Sequence, residues 1–514
     1  AGSGALTVEC TREGQVRLDG QPVERAALTS ALQKAMAGTR RPIVLRAHKG
    51  LELGEAVAVL DLIRAAAPEN VSIATVEAPP VHPSVVTHQA GADTGARITF
   101  SKTYGSVLSD EARSIVPIAD EGFILAGSSF PTTDQTIYSP VILKLDPQGN
   151  ILWQKKIGNL IAYRTEETRA FVQAQDGGFV ILAQLKLGVD PWTDSWLIIK
   201  TDTAGAVEWQ KAFAHSKHDN PNNLVATKDG GYLLLGNVRT PNDASTMIWA
   251  IKLRSAGTVE WQKYYEPAVA FSISSVAETS DNGYLLSGSY RDDYQSSRIW
   301  AAKFTSTGSI SWQKKFTITG EPTNYQYGNA IIQTADGGYT IGGASDGNRF
   351  YLMKFSTQGT ITWARRYRGD NGFSVADILQ MVDGGYLLLV NGASSNYLVK
   401  VNGSGDIEWQ RQYMTGEYSV SRIRPTMDGG YVVVGSVSIP GPPYSYYTAM
   451  WVMKINPDGT FNGTCPQGLG DPANLTSEIV SLAATDTTAQ AKLSLDLPGT
   501  SNATSTDSSL TTQE

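Results

Sequence analysis

The sequence predicts two folded parts of different classes: a small α+β domain over residues 1–80, then an all-β, seven-bladed β-propeller over residues 96–465. Three observations support this prediction. At 514 residues the chain exceeds a typical single domain of roughly 100–150 residues. Helical periodicity appears only in the first 80 residues. Beyond them, a motif of an aspartate, a glycine and an aromatic residue recurs seven times, each time before an apolar run.

Composition limits the class of partner and cofactor. With a net charge of −7 the chain shows no basic excess, so we expect no nucleic-acid partner. Two cysteines, Cys10 and Cys465, are too few for a disulfide framework or a four-ligand zinc site. The state of these cysteines stays open: they form a disulfide with each other, link two protomers, or remain free thiols. No apolar run approaches the ~18–20 residues of a membrane span, and the start at Ala1 leads us to expect a processed or truncated form.

Each repeat contains four short runs that we interpret as strands. The recurring motif begins at seven aspartates: Asp120, Asp176, Asp229, Asp281, Asp336, Asp383 and Asp428. The next apolar run ends in a lysine in every repeat: Lys144, Lys200, Lys252, Lys303, Lys354, Lys400 and Lys454. The run after it carries a tryptophan in six repeats: Trp153, Trp209, Trp261, Trp312, Trp363 and Trp409. A short alternating run precedes each motif and completes the four.

Glycine-rich turns join these strands. Asp-Gly-Gly between two apolar runs supplies the positive φ angles of tight hairpins, and the third turn, for example DPQGN at 146–150, has the same character. Four antiparallel strands repeated every 45–56 residues are typical of a β-propeller. We therefore predict seven blades. The lysines are expected at one outward position of each third strand, and the tryptophans are expected to pack blade against blade.

The seventh repeat lacks its tryptophan strand, because the chain turns polar after NPDGT at 456–460. The missing strand appears before the first repeat, where ITFSKTYG at 98–105 parallels ILWQKKIG at 151–158. An open propeller would leave two exposed sheet edges. We therefore predict that residues 96–105 form the outermost strand of blade 7. The repeats resemble a family of bacterial extracytoplasmic propeller repeats of the type DGGY…WLIKLD…GNIxWQK, a likeness that concerns fold rather than function.

The first 80 residues predict a compact unit with the element order ββαβαβ. Its elements are strands at 6–10 and 15–20, a helix at 24–37, a strand at 42–47, a helix at 54–67 and a strand at 71–76. This order, with the phrases VRLDGQPV and RPIVLRAHKGLELGEAVAVLDLIRAAAPENVSIATVEAP, resembles the periplasmic domain of the ExbD/TolR family over about residues 5–80.

The resemblance implies a homodimer inside a pentameric membrane partner of the ExbB/TolQ kind. It also implies a periplasmic location, with an anchor in the bacterial inner membrane formed by a helix missing from this chain. The family's proton-carrying aspartate lies in that helix, so no residue here is assigned its role. His48 stands in a loop that is often acidic in the family, and a large propeller follows, which the short members lack. Reuse of this small fold as a dimerisation spacer is the alternative.

Two segments lack the composition of a packed core. Residues 81–95 are punctuated by proline and glycine, which predicts a linker. The tail, residues 466–514, holds six acidic residues, one lysine and no aromatic residue. We expect it to be disordered or loosely packed along the propeller. Within it, AKLSLDL at 491–497 alternates well enough to add to a strand edge.

The sequence offers no constellation of catalytic residues, so we expect neither enzymatic activity nor a cofactor. No GxSxG, HExxH, Walker loop or GxGxxG in a βαβ context occurs. His215, His218 and Asp219 have a spacing that a metal uses, but the sequence provides no further ligand nearby, and a polar surface loop is the preferred interpretation. Turns such as DPQGN lack the alternating acids and terminal glutamate of a calcium loop.

Loops on one face of the predicted propeller are the candidate binding surface. The tight turns lie on one face, whereas longer connections that vary in content lie on the other, where function usually sits. Their aromatic residues suit recognition of protein or glycan, although anchoring of the loops explains them equally well. The candidates are Trp192, Tyr294, Tyr325, Tyr444, Tyr446 and Tyr447.

The resemblance and the repeats together predict the extracytoplasmic part of an ExbD/TolR-like motor subunit. Its propeller is expected to engage an unidentified periplasmic, cell-wall or surface ligand. The alternative is a secreted or surface-attached recognition propeller that binds glycan or protein without a motor. An enzyme with its site in the central channel is a third class, which the lack of recurring catalytic residues disfavours.

Overall fold

The chain divides into two compact units, Ala1–His82 and Pro83–Glu514. The structure, a computed structural model, describes residues 6–10, 15–36, 43–47, 59, 62, 71–73, 98–105, 109–129, 138–157, 164–187, 193–214, 219–239, 246–265, 271–293, 296–318, 325–345, 349–368, 373–393, 395–415, 418–441, 445–461, 476–479, 482–486 and 512–513. No helix within these ranges is long and apolar enough to cross a bilayer.

The first unit is built on a sheet of five strands among the described residues. Its strands are Leu6–Cys10, Val16–Leu18, Gln21–Val23, Ile43–Ala47 and Val71–Ile73, and its helix is Leu28–Met36, preceded by a 3-10 turn at Arg25–Ala27. Leu6–Cys10 is central, antiparallel to Val16–Leu18 and parallel to Ile43–Ala47. The helix belongs to the crossover that such a parallel pair requires.

One strand of this sheet was missed from the sequence. Asp19 and Gly20 both have positive φ, so they close a tight hairpin that adds Gln21–Val23 to the edge. Of the predicted helix at 54–67, the structure describes only residues 59 and 62, both helical.

The second unit is a seven-bladed propeller, which confirms the prediction for this part of the chain. The strands of blades 1–4 are Asp110–Pro117, Phe123–Ser129, Ser139–Leu145 and Ile151–Ile157; Arg164–Gln173, Phe179–Leu187, Thr193–Thr201 and Val207–Phe213; Asn220–Ala226, Tyr232–Arg239, Thr246–Leu253 and Val259–Tyr265; and Phe271–Glu278, Tyr284–Asp293, Ser296–Phe304 and Ile310–Ile318. Those of blades 5–7 are Gln326–Gln333, Tyr339–Ser345, Arg349–Phe355 and Ile361–Arg368; Ser374–Gln380, Tyr386–Asn391, Ser395–Val401 and Ile407–Thr415; and Tyr418–Pro425, Tyr431–Gly441, Ser445–Ile455 and Phe100–Tyr104. The first strand of each blade contacts the first strand of the next, and blade 7 contacts blade 1, so the first strands surround the axis.

The strand Phe100–Tyr104 closes the propeller from the N-terminal side. It pairs antiparallel with Ser445–Ile455 as the outermost strand of blade 7. Phe100 is buried and takes the place of the tryptophan in the other repeats, because its ring lies against the Gly149 turn of blade 1. Tyr104 donates a hydrogen bond to the Gly149 carbonyl oxygen at 2.7 Å. The two aromatic side chains therefore join the last blade to the first.

The tryptophans of the outermost strands pack against the following blade. Trp209, Trp261 and Trp363 each lie beside the tyrosine of the next blade's repeated motif, at centroid distances of 6.0–6.4 Å. Trp312 also donates a hydrogen bond to the Thr357 carbonyl oxygen of the next blade at 2.9 Å. Packing of blade against blade thus explains these side chains.

The aligned lysines do not point outward, and this expectation was wrong. Each pairs with the motif aspartate of its own blade: Lys144–Asp120, Lys200–Asp176, Lys252–Asp229, Lys303–Asp281, Lys354–Asp336, Lys400–Asp383 and Lys454–Asp428. The third strand lies inside the blade, where neighbouring blades cover both of its faces. An ammonium group in that position needs a charged partner. The aspartate provides one, and its other oxygen accepts the N–H of the second turn glycine, as at Gly178 and Gly385.

These pairs make the propeller sensitive to acid. Burial opposes ionisation of Asp281 and Asp336, but hydrogen bonds from Lys303, Lys354 and neighbouring threonines outweigh it and lower each pKa to about 2. The ordinary pKa of an aspartate is 3.8. The stabilisation of the folded propeller by these two ion pairs is therefore complete above pH 3.8 and disappears as the pH falls toward 2. We expect the melting temperature to drop between pH 4 and pH 2, and to drop less in an Asp281→Asn/Asp336→Asn variant. Equal losses in both proteins would contradict this assignment.

Three tail segments form strands on the outside of the propeller. Thr476–Ile479 pairs with the outermost strand of blade 5, Leu482–Asp486 with that of blade 4, and Thr512–Gln513 with that of blade 1. These three segments lie along the propeller, and the expectation of disorder or loose packing for the tail stays a prediction. Residues 491–497, the part of the tail whose alternation indicated edge pairing, lie outside the described residues.

Candidate functional site

A β-bulge interrupts the first strand of every blade at the same place, opposite the middle of the second strand. Such bulges redirect side chains and are frequent beside functional sites. In five blades the opposing residue is a glycine, whose missing Cβ lets the bulged backbone approach; at Gly288 an added Cβ would lie 1.8 Å from the Ser272 carbonyl oxygen. The bulged residues are Arg113, Arg169, Asn222, Ser274, Asn329, Ala376 and Ser421.

The bulges of blades 1 and 2 carry arginines that join a set of ion pairs. Arg113 Nη2 lies 2.8 Å from both Glu111 Oε2 and Glu167 Oε1, so it links the two blades. Arg169 Nη2 lies 3.0 Å from Glu167 Oε2 and also donates to the Gln184 side chain. We call Glu111, Arg113, Glu167 and Arg169 the inner charged cluster. Its members lie on the strands that surround the axis.

The inner charged cluster extends toward the face of the long connections. Gln184 donates to Asp194 at 3.0 Å, near the start of a third strand. Burial, followed by the charges of Glu111 and Glu167, raises the pKa of Tyr138, which precedes the third strand of blade 1. These residues lie toward the face for which the sequence predicted binding loops, but they are strand residues and not the predicted loop aromatics.

A second set of charges lies on the first strands of blades 6 and 7. Arg424 Nη1 lies 2.7 Å from Asp377 Oδ2, and the same oxygen accepts the Ile423 N–H at 3.1 Å. Arg422 lies nearby, and burial lowers the pKa of its guanidinium. Blades 3 to 5 instead place Asn222, Ser274 and Asn329 at their bulges. The bulge positions are thus charged in blades 1 and 2 and neutral in blades 3 to 5.

Charge is compensated within this arrangement. Glu111 and Glu167 are each held by an arginine, so the carboxylates and guanidinium groups of the inner charged cluster pair with one another. The Nε atoms of Arg113 and Arg169 are buried and have no hydrogen-bond partner among the described residues. Within the same residues no group of histidine, cysteine, aspartate and glutamate is arranged to hold a metal ion; His215, His218 and Cys465 lie outside them.

Most of the aromatic candidates predicted from the sequence remain untested. Trp192, Tyr294 and Tyr444 lie outside the described residues. Tyr325 is exposed and forms an isolated bridge with Ser297, between blades 5 and 4. Tyr446 and Tyr447 do not lie in a loop, because the second and third strands of blade 7 continue as a hairpin in which they oppose Pro440 and Ile439. The structure brings none of the described candidates into the inner charged cluster.

The sequence contained one usable signal for this site. Glu111 and Arg113, and likewise Glu167 and Arg169, are an acid and an arginine two residues apart on a first strand, which places them on one face. Alternation showed that these runs are strands, but it did not show that a bulge follows or which blades face each other.

Comparison with known proteins identifies the first unit. Residues 3–78 match the family model described as biopolymer transport protein ExbD/TolR. No curated protein matches the chain.

Solved structures resemble the propeller only distantly. Polysaccharide lyase Uly1 is 9% identical with a TM-score of 0.41, covering 72% of this chain and 94% of that one. An acylaminoacyl peptidase of Pyrococcus horikoshii is 11% identical with a TM-score of 0.38, covering 66% and 51%. Neither supports an argument about activity.

Proposed function

We propose that this chain is the extracytoplasmic part of an ExbD/TolR-like subunit of a proton-driven inner-membrane motor. The observation that carries the proposal is the family match at residues 3–78, within a compact unit distinct from the propeller. In this role the first unit forms a homodimer and works with a pentameric ExbB/TolQ-like membrane protein. The subunit is periplasmic, and its membrane anchor belongs to a segment outside this chain.

The propeller is proposed to bind a periplasmic, cell-wall or surface partner rather than to catalyse a reaction. Its support is the uneven set of residues on the first strands. Blades 1 and 2 carry the inner charged cluster, and blades 6 and 7 carry the Asp377–Arg424 pair. The bulges of blades 3 to 5 carry two amides and a hydroxyl. Because the charged side chains compensate one another, the site favours a partner that presents both polar and charged groups over a simple ion.

Dimerisation of the first unit is the first test. We expect the whole chain to sediment with a mass that rises toward twice the monomer as concentration increases. A variant that lacks residues 3–78 is expected to remain a monomer under the same conditions. If both proteins stay monomeric throughout, or if the deletion leaves self-association unchanged, the proposal for the first unit fails and a free recognition propeller becomes the better account.

A further inference from the structure

The tail adds strands to particular blades. Thr476–Ile479 pairs antiparallel with Ile361–Arg368 of blade 5, and Leu482–Asp486 pairs antiparallel with Ile310–Ile318 of blade 4. Only two residues, 480 and 481, separate the two tail strands, so one short segment spans two adjacent blade edges. The outermost strand of any blade offers unpaired backbone groups. Backbone pairing alone therefore does not explain the choice of blades.

Charge distinguishes the blades that receive a tail strand. The outermost strands of blades 1, 4 and 5 contain two or three basic residues and no acid: Lys155 and Lys156; Lys314 and Lys315; and Arg365, Arg366 and Arg368. Those of blades 2, 3 and 6 each contain one acid and one base: Glu208 and Lys211; Glu260 and Lys263; and Glu408 and Arg411. Among the described residues, tail strands pair with these three edges of two or three bases and with none of the three balanced ones; the outermost strand of blade 7, with Lys102 as its single base and no acid, also receives none.

The register of the pairing places opposite charges in opposing positions. Glu478 is the partner of Arg366, and Asp486 is the partner of Lys314. A directly opposed pair of opposite charges stabilises a sheet by about 0.2–1 kcal/mol, and like charges destabilise it. The neighbouring bases have other partners within the propeller. Arg365 pairs with Asp406 at 2.9 Å, and Lys315 lies 3.9 Å from the centroid of the Tyr290 ring.

The glutamates of the balanced edges are also accounted for within their own blades. Glu208 and Glu408 each lie 2.7 Å from the buried lysine of the repeat, Lys200 and Lys400. Blades 4 and 5 have Ser311 and Thr362 at the equivalent position. The edges of blades 4 and 5 are therefore basic for two reasons: they lack this glutamate, and they carry more basic residues. Both features favour pairing with an acidic strand.

We propose that the outer edges of blades 4 and 5 are a docking surface for an acidic, extended segment of a partner protein, and that the chain's own tail occupies this surface as an internal competitor. Strand addition supplies backbone hydrogen bonds that tolerate many sequences, and the basic residues select for acids. The tail strands are only four and five residues long, so a longer acidic segment forms more pairs and displaces them. This inference goes beyond the proposed motor role and does not depend on the first unit.

Hydrogen exchange on the full chain tests the internal pairing. In an Arg366→Glu variant we expect amides of Thr476–Ile479 to exchange about tenfold faster, because like charges replace an opposed pair. Adding Glu478→Arg to that variant restores the opposed pair and is expected to restore protection. The matched control is Lys211→Glu on the balanced edge of blade 2, which is expected to leave the tail unchanged. Protection that survives Arg366→Glu, or that is not restored by the second change, overturns the charge selection.

Peptide binding tests the docking surface itself. The probe is a fluorescently labelled peptide with the sequence of residues 476–486. Its binding to the protein is measured by fluorescence anisotropy at low salt. We expect it to bind a full-length Glu478→Arg/Asp486→Lys chain about tenfold more tightly than the native chain, because the altered tail competes poorly. Further Lys314→Glu/Arg366→Glu changes are expected to abolish that gain, whereas Lys211→Glu leaves it intact. Equal affinity for the native and the altered tail, or a gain that persists without Lys314 and Arg366, overturns the proposal.

Discussion

Replacement of Gly288 by alanine is expected to destabilise the propeller by about 3 kcal/mol, the upper end of what overpacking costs. The Cβ would lie 1.8 Å from the Ser272 carbonyl oxygen and 3.1 Å from Ile273 Cα, both backbone atoms of the bulged first strand. No side-chain rotation relieves such a contact. The backbone must therefore move, which distorts either the bulge or the hydrogen bonds between the first and second strands. The midpoint of urea denaturation measures the loss.

Gly403→Ala is the matched control for this prediction. Its Cβ would meet nothing closer than 3.4 Å, an ordinary van der Waals contact. We expect its denaturation midpoint to stay close to that of the native chain. Similar midpoints for the two alanine variants would mean that the second strand does not need a glycine opposite the bulge.

Phe100→Ala is expected to lower the free energy of unfolding by about 3–5 kcal/mol, because it removes a buried aromatic side chain. It also weakens the strand Phe100–Tyr104, which closes the described propeller at blade 7. Phe100 is 6% exposed and packs within the cluster that unites blades 7 and 1. The loss should appear as a lower melting temperature and as earlier proteolytic cleavage between residues 98 and 105. Leu152→Ala, on the outermost strand of blade 1 and 57% exposed, is the control and is expected to change little. Comparable effects of the two changes would contradict closure by this strand.

The propeller was predictable from sequence because its turns are local. Asp281 and Gly283 form their turn by hydrogen bonds within three residues, so the motif carries its own geometry wherever it stands. The blade count followed from repetition of that motif. The burial of Lys303 was not predictable from alternation, because both faces of a middle strand are covered only once the neighbouring blades are in place.

The inner charged cluster and the tail strands depend on contacts between distant parts of the chain. Arg113 contacts Glu167 across 54 residues, and the strand register pairs position 478 with position 366 across more than 100. No local pattern specifies either partner. The third strand of the first unit, Gln21–Val23, is a different case. Its Asp19-Gly20 turn is a recognisable hairpin signal, and this strand was predictable from it.

If a force-relaying domain and a binding propeller form one motor subunit, the protein must lie in the membrane together with an ExbB/TolQ-like partner. The natural protein should be captured from its own membranes under mild detergent and weighed by native mass spectrometry. We expect a complex with two copies of this subunit and five copies of an ExbB/TolQ-like protein. Recovery as a free protein outside the membrane fraction, with no such companion after cross-linking, would contradict it.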